Sequence, residues 1–348
     1  MKYNPYYMSD VNKKASEGLF TVISLFAGCG GSSIGYKLSG GRVLCVNEFI
    51  PAAYETYGAN FPETPIAKED IRKLKGEDFL KIGELNIGEL DILDGSPPCA
   101  SFSTAGKTDK LWGQIKKYSD TKQRTDDLFF EFTRICNEIM PKVFVTENVK
   151  GLTKGIAKKF FIEEILPKMS EHYNVYCGVL SASNFGVPQK RERFICVGVR
   201  KDIKKTFAFP SGDIDSVSVQ DAIENIVQNE EQRAFLLERG GYYANSRKWD
   251  EIPSEGMHHK IRFNVSKNNW SRPSFTLCAE DAHLNAAGLM HPFERRRHTI
   301  VEAKRLMAFP EDFILTGDFS KQYERLARAV PPLLHKAISN TIYEQILK

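Results

Sequence analysis

Short apolar runs alternate with amphipathic stretches over residues 20–200 of the chain. The runs are rich in β-branched and aromatic residues and predict buried strands. They comprise residues 21–26, 42–48, 91–93, 142–149, 174–184 and 193–200. The amphipathic stretches that begin at residues 126 and 156 predict helices, and strands that alternate with helices are typical of a parallel sheet. The pattern therefore predicts an α/β fold with a doubly wound, mostly parallel sheet.

The alternation of strands and helices fades after residue 200. Segment 201–298 instead mixes arginine, asparagine and aromatic residues, which suit contacts with base edges and the nucleic-acid backbone. The same composition suits an ordinary small domain. An amphipathic stretch at 333–347 predicts a last helix that packs back onto the first domain. We therefore expect one large domain and a second, smaller one, for which 348 residues suffice.

Composition and charge describe an ordinary globular chain. Hydrophobic residues make up 42% of it and charged residues 26%, which is the usual balance in soluble proteins. No apolar run approaches membrane-spanning length, and residues 1–19 lack the apolar core of a signal peptide. We therefore expect a cytoplasmic protein. The net charge of +4 neither requires nor excludes nucleic acid, because a DNA-binding face can be local.

The cysteines and histidines lack the spacing of a metal site. The seven cysteines are odd in number and form no CxxC pair, which argues against a disulfide framework and against zinc. His258 and His259 are adjacent, so their side chains point to different faces of a helix or strand. The sequence therefore predicts no metal and a reducing compartment.

A rigid arm carries one cysteine just after a predicted strand. Pro97 and Pro98 stiffen the backbone and remove two N–H donors before Cys99. Most free cysteines are buried structural thiols, but packing a thiol does not need a preset loop. The carboxyl end of a parallel strand is where open α/β sheets bind ligands, so the arrangement favours a nucleophile.

A glycine-rich turn follows the first strand. Residues 27–35 allow a tight turn and a close approach of backbone to a ligand, with a helix N-terminus beyond. A dinucleotide loop does not fit, because the third glycine of GxGxxG would be Ser33. Glu48 ends the second strand about twenty residues past the loop, where an acid can accept both ribose hydroxyls. By itself, Asp70 reads as a surface acid.

Two further polar features follow the cysteine. The stretch 104–125 is a long loop with more lysine and arginine than acid, either a solvated segment or a surface for phosphates. Glu147 closes an apolar strand, where partial desolvation would let it hold a proton at neutral pH.

Several short motifs occur in the order found in one enzyme family. Residues 26–31 read Phe-Ala-Gly-x-Gly-Gly, residues 98–99 Pro-Cys, residues 147–149 Glu-Asn-Val, and residues 189–193 Gln-x-Arg-x-Arg. Residues 272–276 match a later motif. In this order the chain resembles the DNA cytosine-5 methyltransferases over nearly its whole length, with weak correspondence only at 201–270. Ala100-Ser101 departs from the usual Gln-Pro after the cysteine.

The resemblance implies a Rossmann-like methyltransferase sheet with a smaller target-recognition domain. The expected boundaries are 1–199 plus 322–348 for the catalytic domain, 200–298 for target recognition and 299–321 for a hinge. Double-stranded DNA would be the partner of a monomer, with a cognate restriction endonuclease left open and no membrane association. Cys99 would add to cytosine C6, Glu147 would donate a proton to N3, and Arg191 and Arg193 would hold the flipped base.

The resemblance also implies S-adenosylmethionine as the cofactor. In this family Asp70 would take the adenine amino group and Ile71 would lie against the ring. On sequence alone, a core role for Leu128 is nearly as fitting as a cofactor contact. The residues expected at the cofactor are Phe26, Gly28, Gly30, Gly31, Glu48, Asp70, Ile71, Pro98, Leu128 and Arg328.

The last motif departs from the family pattern. Where Gly-Asn-Ala/Ser-Val-Pro-Pro is usual, residues 327–332 read Ala-Arg-Ala-Val-Pro-Pro. A guanidinium repels a sulfonium cation in a low-dielectric pocket but pairs with a carboxylate. Arg328 therefore raises the hypothesis of carboxymethyl transfer from carboxy-S-adenosylmethionine. The alternative is that Arg328 turns outward or pairs with a nearby acid, and methylation is normal.

Two other functions remain open at the level of sequence. One is a tRNA cytosine methyltransferase of the same fold, although Phe102-Ser103 favours DNA over the usual Phe-Thr of the RNA enzymes. The other is a non-catalytic DNA-binding module with a decayed cofactor site. The intact Cys99, Glu147, Arg191 and Arg193 argue against decay.

Overall fold

The computed structural model describes residues 2–98, 116–118, 121–123, 125, 127–242, 249–252, 254–260, 265–282 and 288–348. The chain divides into two compact units. The first, here called the sheet unit, comprises Ser9–Leu180, Glu192–Ser211 and His335–Lys348. The second unit comprises Met1–Met8, Ser181–Arg191 and Gly212–Leu334. The functional domain boundaries expected from the sequence remain predictions.

The sheet unit is built on a seven-stranded sheet in the order β3-β2-β1-β4-β7-β9-β8, and a separate antiparallel hairpin pairs β5 with β6. The strands up to residue 200 are β1 (Phe20–Leu25), β2 (Gly41–Asn47), β3 (Ile66–Ala67), β4 (Ile92–Gly95), β5 (Lys116–Tyr118), β6 (Thr121–Gln123), β7 (Val143–Val149), β8 (Tyr173–Ser181) and β9 (Glu192–Arg200). The pairs β1–β2, β1–β4, β2–β3 and β4–β7 are parallel, whereas β7–β9 is antiparallel. This confirms the mostly parallel α/β fold.

Helices connect the strands and continue through the second unit. They are α1 (Met8–Ala15), α2 (Gly31–Lys37), α3 (Pro51–Asn60), α4 (Gly76–Gly83), α5 (Leu128–Ile139), α6 (Gly155–Phe160), α7 (Leu166–Met169), α8 (Val219–Ile223), α9 (Glu230–Tyr242), α10 (Ile300–Leu306), α11 (Phe319–Arg328) and α12 (Pro332–Ile342). Short 3₁₀ turns add Ile71–Lys73, Lys150–Thr153, Ala182–Phe185, Lys201–Ile203 and Ala279–Ala282, and π-helical turns add Phe161–Ile165 and Tyr343–Leu347. Among the described residues, none of these helices has both the length and the apolar character needed to cross a bilayer.

The central strands are buried and apolar along almost their whole length, as is typical of a parallel sheet that is covered on both faces. In β7, the residues from Val143 to Asn148 are all buried. The chain's last helical segment packs on this sheet, as the sequence predicts. Tyr343 makes a ring contact with Phe20 of β1, and His335 meets the edge of the Tyr36 ring on α2.

The parallel strands β1, β2, β4 and β7 run in the same direction, so their carboxyl ends meet at one edge of the sheet. The glycine-rich turn follows β1, Glu48 follows β2, and Pro97 follows β4. Glu147 lies near the end of β7. Most of the candidate site residues predicted from the sequence therefore lie at this edge. It is also the place where open α/β sheets bind ligands.

Two local features differ from the sequence expectation. The helix predicted from residue 156 to 169 is interrupted by a π-helical turn. Pro167, which follows, has no N–H to donate, so the regular bonding pattern cannot continue through it. The second difference is a disulfide between Cys177 of β8 and Cys196 of β9. The count of cysteines argued against such bonds, but a count does not reveal which strands become neighbours.

The second unit contains two short parallel strands, β10 (Ser266–Lys267) and β11 (Leu289–Met290). It also contains a buried ion pair between Arg296 and Glu302. Arg296 donates from Nη1 and Nη2 to the two carboxylate oxygens of Glu302, both at 2.8 Å, and each side chain is 1% exposed. Burial alone would raise the pKa of Glu302, but hydrogen bonds from Arg296 and His298 outweigh it and hold the pKa well below its usual value.

We predict that Arg296→Met lowers the free energy of unfolding by about 3–5 kcal/mol, because it leaves a buried carboxylate without its partner. Arg295→Met is the matched control, since the exposed pair of Arg295 with Asp250 is worth about 0–1 kcal/mol. Urea unfolding followed by circular dichroism measures both. Equal losses in the two variants would contradict the prediction. The carboxylate's contribution should be complete above the ordinary pKa of 4.5 and lost as the pH falls through the lower folded-state pKa.

Candidate functional site

The glycine-rich turn after β1 adopts backbone conformations that few side chains tolerate. Phe26, Gly28 and Gly30 have φ values of 56°, 58° and 95°. Gly30 precedes Gly31, the first residue of α2. A Cβ atom on Gly28 would meet nothing within 4 Å, whereas one on Gly30 would lie 2.7 Å from the Phe61 ring. The turn thus leaves open space at Gly28 and is closely packed at Gly30.

We predict that Gly30→Ala destabilises the protein by about 1–3 kcal/mol, because it combines the clash with a left-handed backbone position. Gly58→Ala is the control. Gly58 lies inside α3, and its nearest neighbour would be 3.7 Å from the new Cβ. This control should be neutral or stabilising by about 0.5–1 kcal/mol. Thermal unfolding measures both, and a Gly30→Ala protein as stable as the wild type would contradict the prediction.

Glu48 is brought directly against the glycine-rich turn. Its Oε2 accepts a hydrogen bond from the Gly28 backbone N–H at 2.9 Å, and its Oε1 accepts one from the Ile50 N–H at 2.8 Å. The side chain is almost fully buried. Two backbone amides from different loops therefore fix the carboxylate beside the turn, as expected for an acid that serves the same ligand.

The segment after β3 places Asp70 and Ile71 near the start of α5. Asn47 at the end of β2 donates to the carbonyls of Ala67 and Glu69, both at 2.9 Å. Asp70 caps the 3₁₀ turn that follows, and its side chain is 26% exposed. Ile71 and Leu128 belong to one hydrophobic cluster, with Phe26 packed against it. The expected adenine contacts thus cluster at this edge.

The strand β4 leads into the proline arm. The carbonyl of buried Pro97 accepts a hydrogen bond from Asn148 Nδ2 at 3.2 Å, and Pro98 is half-buried. Cys99 lies outside the described residues, as do the basic residues Lys107 and Arg124 of the following stretch. Asn148 ties the arm to the end of β7. The sequence marked it only as the middle of the Glu-Asn-Val motif.

Glu147 and Arg193 form a close ion pair between β7 and β9. The Arg193 Nε lies 2.6 Å from Glu147 Oε1, and the side chains are 11% and 10% exposed. In the antiparallel register Glu147 faces Ile195, two positions from Arg193. The pair therefore holds one carboxylate oxygen of Glu147 and fixes the direction of the other.

Arg191 has a different environment, in the second unit. It is 2% exposed, and its guanidinium donates to three backbone carbonyls. Nη2 bonds Ala327 O at 2.7 Å and Ala329 O at 3.0 Å, and Nη1 bonds Leu277 O at 3.2 Å. The structure thus has Arg191 supporting the backbone around residues 327–329, while its contact with a base stays a prediction.

Arg328 pairs with an acid on its own helix. Its Nε donates to Glu324 Oε1 at 2.7 Å, one turn earlier in α11, and its side chain is 30% exposed. This is the arrangement that the sequence offered as the alternative to a carboxylate-binding role. The pair is local, because the two residues are four positions apart on one helix face.

Sequence reasoning missed Arg72. Its Nη1 contacts Asp70 Oδ2 at 2.9 Å, and its Nη2 contacts Asp127 Oδ1 at 2.7 Å. Arg72 follows Asp70 by two residues, but Asp127 is 55 residues away in the sequence. No local spacing signals that second contact.

Comparisons with known proteins find similar sequences over nearly the whole chain. Residues 20–344 match the family model of the C-5 cytosine-specific DNA methylases. The Type II methyltransferase M1.HphI of Haemophilus parahaemolyticus is 30% identical, with 92% of this chain and 86% of that protein covered. The Type II methyltransferase M.Eco47II of Escherichia coli is also 30% identical, over 94% and 80%.

Solved structures share the fold. One is described as a DNA modification methyltransferase encoded within an Escherichia coli prophage. It has a TM-score of 0.72 and 22% identity, and the match covers 94% of this chain and all of the other. A mutant of Spodoptera frugiperda DNMT2 has a TM-score of 0.66 and 20% identity, with 91% and 97% covered.

Proposed function

Since the chain belongs to the family of C-5 cytosine-specific DNA methylases, we propose that it transfers a methyl group to C5 of a cytosine flipped out of duplex DNA. The observation that carries this proposal is that the candidate residues gather at a single edge of the sheet. There the Gly28–Glu48 contact, the Asn148–Pro97 contact and the Glu147–Arg193 pair lie in one unit. Cytosine C5 is buried in the base stack, so the enzyme must first extrude the base, at a cost of a few kcal/mol.

The residues of the sheet unit fit S-adenosylmethionine as the cofactor. The turn leaves open space beside Gly28, and Glu48 provides an anchored carboxylate for ribose hydroxyls. Asp70 provides an acceptor for an amino group, and Ile71 and Leu128 an apolar surface for a ring. Phe26, Gly30, Gly31 and Pro98 shape the same edge. When bound, S-adenosylmethionine supplies an electrophilic methyl group.

The chain's own residues prepare the base. Cys99, as thiolate, adds to C6, and C5 thereby gains enamine character. Glu147 donates a proton to N3 and stabilises the charge that develops there. Arg193 orients Glu147 through Oε1 and contacts the base near O2. Arg191 acts indirectly, through the backbone at Ala327 and Ala329 that its guanidinium holds. Loss of the C5 proton and cleavage of the bond between C6 and Sγ release the modified base.

We propose methyl rather than carboxymethyl transfer. The Arg328 guanidinium has a carboxylate partner in Glu324 at 2.7 Å, so it does not need one from a cofactor. Glu324 Oε1 also lies 3.1 Å from Arg325 Nη2, so the carboxylate is shared by two guanidinium groups and offsets part of the Arg328 charge that would repel a sulfonium cation. The substitution is thus compatible with the ordinary cofactor.

Nucleoside mass spectrometry tests this proposal. Duplex DNA is incubated with the protein and either S-adenosylmethionine or its carboxy analogue, digested, and analysed. The expected product is 5-methyldeoxycytidine, formed with S-adenosylmethionine by the wild type and by Arg328→Asn alike. A 5-carboxymethyl product that disappears in Arg328→Asn would overturn the choice of group. If the protein modified tRNA but not duplex DNA, the proposal of DNA as the substrate would be wrong.

A further inference from the structure

Arg72 joins two segments that the proposed function places at the cofactor. On one side its Nη1 contacts both carboxylate oxygens of Asp70, at 3.1 and 2.9 Å. On the other side Nε and Nη2 contact Asp127 at 3.0 and 2.7 Å in a two-point pair. Asp127 immediately precedes Leu128, the first residue of α5. All three charged side chains are only 26–30% exposed, and such two-point pairs fix geometry as well as charge.

These contacts hold the Asp70 carboxylate in one orientation. Oδ1 accepts from the Arg72 backbone N–H at 3.0 Å and from Nη1. Oδ2 accepts from Nη1 alone among the described residues. An ionised carboxylate has about four acceptor positions and no donor. The available position therefore lies on Oδ2, and a hydrogen-bond donor suits it better than an acceptor.

The backbone of this segment has a separate support. Arg134 of α5 donates from Nη2 to the carbonyls of Ile71 at 3.0 Å and Leu74 at 2.9 Å, and the Gly76 N–H donates to Glu138. The chain path near Asp70 therefore has supports other than the Arg72 side chain. Removing the Arg72 side chain should release Oδ2 of Asp70, while Oδ1 keeps its bond from the backbone N–H of residue 72.

We propose that Arg72 is a positioning residue that makes the cofactor site select a purine with an amino group at position 6. This inference rests on the proposed function, which places Asp70 at that amino group. A carboxylate pinned by Arg72 accepts a hydrogen bond from the amino group and repels a keto oxygen. A released carboxylate can rotate away or take up water, so it discriminates less between the two. Sites built to accept a hydrogen bond from an N–H reject analogues that lack it, because the acceptor of the site is then left unpaired.

Calorimetric titration of the full chain with two product analogues tests this. S-adenosylhomocysteine carries the amino group, and S-inosylhomocysteine carries a keto group in its place. The wild type should prefer the first by about tenfold or more, the effect of one hydrogen bond to a charged group. Arg72→Met should reduce the preference to about twofold, and Arg72→Lys should restore part of it. Lys73→Met, which removes an exposed pair with Glu69, should keep the full preference.

The outcomes separate the inference from the proposed function. If Arg72→Met weakens the binding of both analogues equally, so that the ratio of their affinities stays as in the wild type, Arg72 is only structural and the inference fails. If the wild type binds both equally well, it fails as well. If the wild type binds neither analogue, the proposed function itself is wrong. Should Arg72→Met not fold, Asp127→Asn replaces it, because it removes one carboxylate partner of Arg72. An intermediate preference supports the inference, and an unchanged one overturns it.

Discussion

Replacing Cys99 with alanine should lower methyl transfer by on the order of 10⁴-fold or more, the usual cost of removing a covalent nucleophile. Without a thiolate that adds to C6, cytosine C5 stays a poor nucleophile, and positioning of the substrate cannot compensate. Duplex DNA should still bind with unchanged affinity, because phosphate contacts supply most of the binding energy. Transfer of labelled methyl groups measures the first effect, and a gel-shift titration at fixed salt measures the second.

A matched variant controls for the loss of a thiol as such. Cys278 is a partly exposed cysteine of the second unit, and Cys278→Ala should keep wild-type turnover. Substantial turnover by Cys99→Ala would contradict the assignment of the nucleophile. Lost turnover together with lost DNA binding would point to a folding defect rather than to missing chemistry.

Glu147→Gln should lower the turnover rate by about 10²- to 10⁴-fold, the usual contribution of a positioned acid or base. Glutamine keeps the shape of glutamate and an oxygen that can accept from Arg193, whose Nε lies 2.6 Å from Glu147 Oε1. The fold of β7 should therefore survive. What disappears is the proton that the carboxyl group passes to N3. Single-turnover kinetics with saturating DNA and cofactor measure this loss apart from binding.

Glu192 offers a control on the neighbouring strand. It is an exposed glutamate at the start of β9 that pairs with Lys150 at 2.8 Å, so Glu192→Gln removes an equivalent charge near the same edge of the sheet and leaves the Glu147–Arg193 pair in place. Its turnover should stay within about twofold of the wild type, since exposed pairs contribute little. If both variants lost activity equally, a general electrostatic effect would replace the role assigned to Glu147.

Much of the sheet was predictable because its signal is local. The apolar runs at 21–26, 42–48 and 142–149 became β1, β2 and β7 with shifts of one residue at their ends. Strands buried on both faces can be recognised in a sequence as continuous hydrophobic runs. The predicted strand at 174–184 instead ends at Ser181, where a 3₁₀ turn and Gly186 with a φ of 80° redirect the chain. Residues 181–191 then belong to the second unit.

The candidate site was predictable in its residue types and not in its supporting contacts. Glu48 and Glu147 stood out as acids at strand ends, whereas only the family resemblance singled out Asp70. The bonds that fix them join residues far apart in sequence, such as Arg193 with Glu147 and Arg72 with Asp127. Such pairs depend on which strands and helices become neighbours, and a single sequence carries no record of that.

Covalent trapping tests the central claim most directly. Duplex DNA in which every cytosine carries fluorine at C5 is incubated with the protein and S-adenosylmethionine, then denatured and digested for peptide mass spectrometry. Fluorine cannot leave as the C5 proton does, so the bond between C6 and the thiolate sulfur cannot be broken in the normal way. We expect a denaturant-stable complex with the base attached to Cys99. Methylation of normal DNA without any such adduct, or an adduct on another residue, would contradict it.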